Sequence, residues 1–195
     1  MPLASLAEYE KAAEQAHGHL CAGQILGLRM ALYGMKLLDI GDPAGADRKR
    51  LVTFVEIDRC MTDAIPLVTG CRLGKRALKF RDFGKVAATF CDLEQNRAVR
   101  IRARESAKAR ARELYPRIAG ANQQQMRAYR EMAEEELFAI QWVRVALGPD
   151  DLPGYRGART VCARCGEPVS FAREVVRDGQ TVCRACAGEA YYTPL

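Results

Sequence analysis

Eight cysteines and two histidines carry most of the chemistry open to this 195-residue sequence. Four of the cysteines form two close pairs, Cys162-Ala-Arg-Cys165 and Cys183-Arg-Ala-Cys186. A C-x2-C turn sets two thiolates on one ion, and two such turns complete the tetrahedron that zinc prefers. Gly166 permits a tight knuckle after the first pair. Residues 170–176 and 180–182 read as strands joined at Asp178-Gly179, a hairpin signal. Residues 187–191 read as a short helix after the second pair. Knuckle, hairpin and helix describe a treble-clef finger held by a structural zinc on Cys162, Cys165, Cys183 and Cys186. Disulfides or redox C-x2-C pairs are the competing reading. Against it, the first fifteen residues are polar and helix-forming rather than signal-like, which places the chain in the reducing cytoplasm.

His17, His19 and Cys21 alternate, and in an extended segment all three would point the same way. Imidazole and thiolate suit zinc or another borderline transition metal. Cys21 also opens a helix, where the dipole favours a thiolate. Taken alone the pattern is weak, and ordinary buried or capping side chains would explain it equally well.

The elements that must hold these residues follow from pattern. Ser5 with Glu8 makes a capping box for a helix over 5–16. A second helix, 22–38, is apolar on more than one face and so belongs in the core. Its Gly23, Gly27 and Gly34 would let another backbone come close. Residues 51–57 are the clearest strand, and 60–68 a short helix capped near Gly70. Residues 78–81, 86–92 and 98–103 read as strands, and 105–115 and 122–147 as helices. In the last helix Met126, Tyr129, Ala133, Leu137, Ile140 and Val143 form the apolar stripe, with Trp142 beside it as packing or dimer contact. Residues 148–159 are a linker by composition. The expectation is an α+β core domain over 1–147 with a mixed β-sheet, and a four-cysteine zinc finger over 160–195.

The segment from His17 to Ala31, HGHLCAGQILGLRMA, resembles the opening signature of the FmdE family of formylmethanofuran dehydrogenase components. Two more blocks resemble that family in the same order: Asp58-Arg-Cys60-Met-Thr-Asp63-Ala64-Ile with Thr69-Gly70-Cys71-Arg-Leu-Gly74-Lys75, and Asp82-Phe-Gly84-Lys85-Val-Ala-Ala-Thr-Phe90. The resemblance implies a thioredoxin-like mixed sheet flanked by helices, a homodimer, and a link to molybdenum or tungsten one-carbon enzymes, as an enzyme or an accessory subunit. It also implies a core metal site, holding a second zinc or another transition metal, on His17, His19, Cys21, Cys60 and Cys71. Within it Cys21, Cys60 and Asp63 are the catalytic candidates, and Lys75 and Lys85 the substrate-binding or supporting ones. Each has a plainer reading: Cys60 and Cys71 as small buried hydrophobes, Asp63 as a cap, the lysines as solvated. Cys91 falls outside the blocks and reads as core.

The net charge of +6 concentrates in residues 97–117, where Arg97, Arg100, Arg102, Arg104, Lys108, Arg110, Arg112 and Arg117 face Glu105 and Glu113. That run reads as a solvated face, and with 7% aromatic residues it argues against nucleic acid as a partner. A binding module without catalysis, or a thiol redox protein using Cys21 with Cys60 or Cys71, remain the alternatives. Residues 25–40 are interrupted by Arg29 and Lys36 and are too short to cross a bilayer.

Overall fold

A computed structural model describes residues 3–194 of the chain, which divides into two compact units, Met1–Ala146 and Leu147–Leu195. The first begins with α1, Leu6–His17, whose N-terminus has the expected capping box: Glu8 N–H donates to Ser5 Oγ and Ser5 N–H to the Glu8 carboxylate. Gly18, at a φ of 85°, closes this helix in the left-handed region that glycine adopts without strain. Helix α2, Ala22–Leu38, is buried nearly all round, with Ile25, Leu28, Met30, Met35 and Leu38 at the centre of the core. It therefore needs neighbours on several sides.

One neighbour is α3, Cys60–Thr69. The two helices cross so tightly that a methyl group on Gly27 would lie 2.6 Å from the Met61 carbonyl oxygen. The other is a five-stranded sheet in the order β2-β1-β3-β4-β5 among the described residues. Its members are β1 (Leu51–Val55), β2 (Leu78–Phe80), β3 (Ala87–Asp92), β4 (Arg97–Ala103) and β5 (Phe138–Val143). Strands β1 and β2 are parallel and the remaining pairs antiparallel, so the sheet is mixed. Leu51, Val55, Ala88, Phe90, Val99 and Ile101 share one buried cluster with α2 and α3. Phe90 meets the helix at Gly34, where an added methyl would lie 2.5 Å from the ring.

Helix α4, Ser106–Leu114, lies where expected, but the long helix over 122–147 does not form. Instead α5 (Ala121–Glu131) ends at Met132, whose backbone is extended. One helical turn follows, α6 (Glu134–Leu137), and then edge strand β5. The physical reason lies in Phe138-Ala-Ile140-Gln-Trp142-Val: its aromatic and β-branched residues alternate with period two, and they pair with β4, Ile140 opposite Ile101 and Trp142 opposite Val99. The apolar spacing of a helix and that of a strand overlap here, and pairing with β4 decides between them. Trp142 consequently stands on an edge strand at 52% exposure. The break also opens a helix end that Arg29 fills, its guanidinium donating to the carbonyls of Tyr129, Arg130 and Met132.

The second unit has no comparable core. Cys162 and Val182 are its buried residues among those described. Strand β6 (Arg159–Val161) pairs with β7 (Pro168–Ser170) around the first knuckle, and β8 (Val175–Arg177) with β9 (Gln180–Val182). Asp178 and Gly179, at φ of 51° and 74°, make the second hairpin turn. An irregular helical turn, Ala185–Glu189, follows in place of a regular helix.

Candidate metal centres

In the second unit the ligand atoms of Cys162, Cys165, Cys183 and Cys186 all lie within 4.8 Å of one another. The Cys165 and Cys183 sulfurs are 3.9 Å apart. A tetrahedral zinc with bonds of about 2.3 Å requires sulfurs about 3.8 Å apart, whereas a disulfide requires about 2.05 Å. The donor set thus fits zinc. Hydrogen bonds from the Cys165 and Cys183 backbone pull the Cys162 thiol down to about 6, while the neighbouring Cys183 and Cys165 sulfurs push Cys186 up to about 12. Thiolates so close repel one another, and a divalent cation resolves that repulsion. Arg164, inside the first pair, ties the knuckles together by donating to the Cys186 carbonyl at 2.8 Å and pairing with Asp178 at 3.3 Å.

In the first unit the end of α1 and the starts of α2 and α3 bring together His17, His19, Cys21, Cys60 and Asp63. Gln24 shapes the turn between α1 and α2: its side chain accepts from the Cys21 N–H and donates to the Ala13 carbonyl. His17 is the last residue of α1 rather than part of an extended segment, because the left-handed Gly18 comes after it. The His17 and His19 rings nevertheless approach to 5.0 Å between centroids. Asp63 Oδ2 faces His17 Nδ1 at 3.2 Å, which orients the ring and leaves Nε2 for another partner. Cys21 and Cys60 meet across Gly23, where an added methyl would lie 3.8 Å from Cys21 Sγ and 3.4 Å from Cys60 Cβ. Burial, the Cys21 thiol and Asp63 together push the Cys60 thiol up.

Cys71 does not join them. Helix α3, about 15 Å long at 1.5 Å per residue, separates it from Cys60. It is buried against β1, where Thr53 Oγ1 donates to its sulfur at 3.4 Å, and burial pushes its thiol up. The family resemblance implied Cys71 as a ligand, but α3 carries it away from Cys60. Cys91 is buried and pushed up to about 12. Among the described residues the tail quartet is the only group of three or more His, Cys, Asp or Glu side chains with ligand atoms mutually within 4.8 Å.

Residues 16–144 match the profile of FmdE, described as "Molybdenum formylmethanofuran dehydrogenase operon". The chain belongs to the FmdE family. Residues 155–192 match the prokaryotic dksA/traR C4-type zinc finger. A crystal structure of an FmdE-like protein of the tungsten formylmethanofuran dehydrogenase type, from Syntrophus aciditrophicus, superposes with a TM-score of 0.66, at 21% identity, over 97% of this chain and 96% of that one. A probable S-adenosyl-L-methionine-binding protein from Archaeoglobus fulgidus is 28% identical over 92% of this chain. The chain spans 52% of the length of that relative.

Around His17, Cys21 and Cys60 the surface is concave. Cys60 and Arg59 stand in the walls of two clefts. One, about 200 Å³, also meets Cys21, Val86, Glu105, Gln125 and Tyr129. The other, about 410 Å³, meets His17, Thr62, Asp63, Leu73 and Phe80. Lys75 is exposed beyond Leu73, and the Lys85 ammonium lies 5.9 Å from the Phe83 ring centroid. Arg59, Thr62, Leu73 and Phe80 were not singled out from the sequence. For Leu73 and Phe80 the available signal was the interleaving of cations with apolar residues over 72–85.

Proposed function

We propose that this FmdE-family chain is a cytoplasmic metal protein serving molybdenum or tungsten one-carbon metabolism, as an enzyme or an accessory subunit and as a homodimer. In this reading His17, His19, Cys21 and Cys60 hold a transition metal, Asp63 orients His17, and Lys75 and Lys85 lie toward the substrate. The observation that carries it is the meeting of Cys21 with Cys60 beside the Asp63-oriented His17, at three helix ends that bear the family's own motifs. Two imidazoles and two sulfurs suit a borderline metal such as zinc. A metal held there by three of these four side chains would keep a position open and would supply Lewis acidity toward a carbonyl or a water. The residues themselves bind and orient.

Metal analysis of anaerobically prepared protein tests the reading. More than one equivalent per chain is expected, falling by one on Cys21→Ser with Cys60→Ser. A single zinc that disappears entirely when residues 160–195 are removed refutes it.

A second reading takes its ligand from the name of the Archaeoglobus relative. The cleft between Cys60, Val86 and Tyr129 has an apolar floor, with Glu105, Gln125 and the cations Arg59, Arg104 and Lys108 as polar contacts for a nucleoside and its carboxylate. Equilibrium dialysis with S-adenosyl-L-methionine decides it; no retention at millimolar ligand retires it.

A further inference from the structure

Residues 72–85 run from the end of α3 through the sheet edge at β2. Their exposed cations are Arg72, Lys75, Arg81 and Lys85, and their one acid is Asp82. That acid is already engaged, accepting from the Gly84 N–H. Interleaved with the cations are exposed apolar side chains: Leu73 at 64%, Phe80 at 40% and Phe83 at 63%. Exposed residues of this size in one short segment mark contact surface.

Behind the segment lie two adjoining clefts of about 410 and 510 Å³ that share His17, Thr62, Asp63, Leu73 and Leu78. The first reaches Arg59 and the second reaches Arg72, so an apolar floor has a guanidinium toward either end. Arg59, Arg72 and Lys75 are exposed and join none of the ion pairs among the described residues. Of the two carboxylates in the first cleft, Asp63 is turned to His17, leaving Asp58. Volumes of this order hold small ligands.

We propose that this cleft binds a small organic anion with a flat apolar body. The body lies on Leu73, Leu78 and Phe80, and the negative charge faces Arg59 and the Arg72–Lys75 rim. This assigns a ligand class to the core site of the preceding reading and rests on that reading. Charge selects the sign of the ligand, and the apolar floor supplies the burial that makes binding more than a surface ion pair. A nucleic-acid strand fits less well. It needs a continuous cationic track, and much of the other basic run is used internally: Arg97 on the Leu38 carbonyl, Arg100 on Glu56, Arg104 on the Phe138 carbonyl.

The test is fluorescence titration of the intact, zinc-loaded chain with 8-anilinonaphthalene-1-sulfonate, beside its neutral isostere N-phenyl-1-naphthylamine. Saturable binding of the anion, about tenfold tighter than the neutral dye, is expected. Arg72→Glu with Lys75→Glu, and separately Leu73→Ser, should each weaken it about fivefold. Arg102→Glu with Arg112→Glu, the same charge change on another exposed surface, should leave it within about twofold. Circular dichroism checks every variant, and Arg72→Gln with Lys75→Gln replaces the reversal if that disturbs the fold. Equal binding of the two dyes overturns the proposal, as does equal weakening by the control pair. Displacement of the dye by a short oligodeoxynucleotide with steep salt dependence overturns it in favour of nucleic acid. Metal content, measured on the same samples, keeps the two readings apart: two metals without dye binding sinks only this one, and dye binding with a single zinc sinks only the metal site.

Discussion

At the scale of single residues, the buried charges are set by specific partners. Asp92 is pushed up by burial, but hydrogen bonds from Arg50 and from the Gln95 and Glu94 amides outweigh this and hold its carboxyl below the usual range. A carboxyl lowered by folding stabilises the native state above its ordinary pKa, and that contribution is lost as pH falls through the lowered value. Asp92→Asn is therefore expected to cost about 1.5–3 kcal/mol at neutral pH. The gap from the parent should close as pH drops well below about 4. Denaturant titrations at a series of pH values would show it; a gap that persists in strong acid contradicts the assignment. The tail quartet was legible from the sequence because its chemistry is local: two turns and one hairpin set four sulfurs. The core cluster was legible only as candidates. Which thiols meet depends on how α3 crosses α2, and spacing along the chain cannot distinguish Cys60, at the near end of that helix, from Cys71, beyond its far end.

At the scale of elements, two contacts decide where the site's pieces stand. Gly27 lets α3 rest on α2 through Met61, one residue from Cys60. Gly27→Ala would push the helices apart, at an expected cost of about 1–3 kcal/mol. Thermal unfolding would register this as a drop of about 2–4 °C per kcal/mol, and the Cys60 thiol should become more reactive toward a maleimide. Unchanged melting and thiol reactivity would mean the crossing is looser than described. Arg29 holds the broken end of α5 through three carbonyls, so Arg29→Ala is expected to lower the melting temperature by at least as much, because it leaves buried acceptors unpaired. The long helix expected over 122–147 failed for a reason tied to the same place. The stripe from Met126 to Tyr129 is helical, but Phe138 to Val143 alternates, and a strand needs a partner that only the folded sheet supplies. Helices α1 and α3, with glycine stops at Gly18 and Gly70, and α2, with its apolar run, needed no such partner to be read.

At the scale of the whole molecule, the two units rest on different physics. Residues of the first bury a continuous apolar cluster, whereas the second relies on its cysteines. Chelation of zinc is therefore expected to abolish protection of tail amides from hydrogen exchange while the sheet amides of β1, β3 and β4 stay protected. Loss of protection in both units together would show that they do not unfold separately. Part of the basic balance is used within the chain: Arg50, Arg97, Arg100, Arg110 and Arg130 all sit against its own carboxylates. Among the described residues no helix is long and apolar enough to cross a membrane.

The near-coreless tail has a consequence for the living cell. A small domain that owes its shape to one ion cannot ripen before that ion arrives. Chains synthesised during zinc starvation would leave the ribosome with a finished body and an unfolded finger of roughly forty residues, open to proteases and to stray oxidants. The stock of intact protein would then follow the metal supply as closely as it follows transcription.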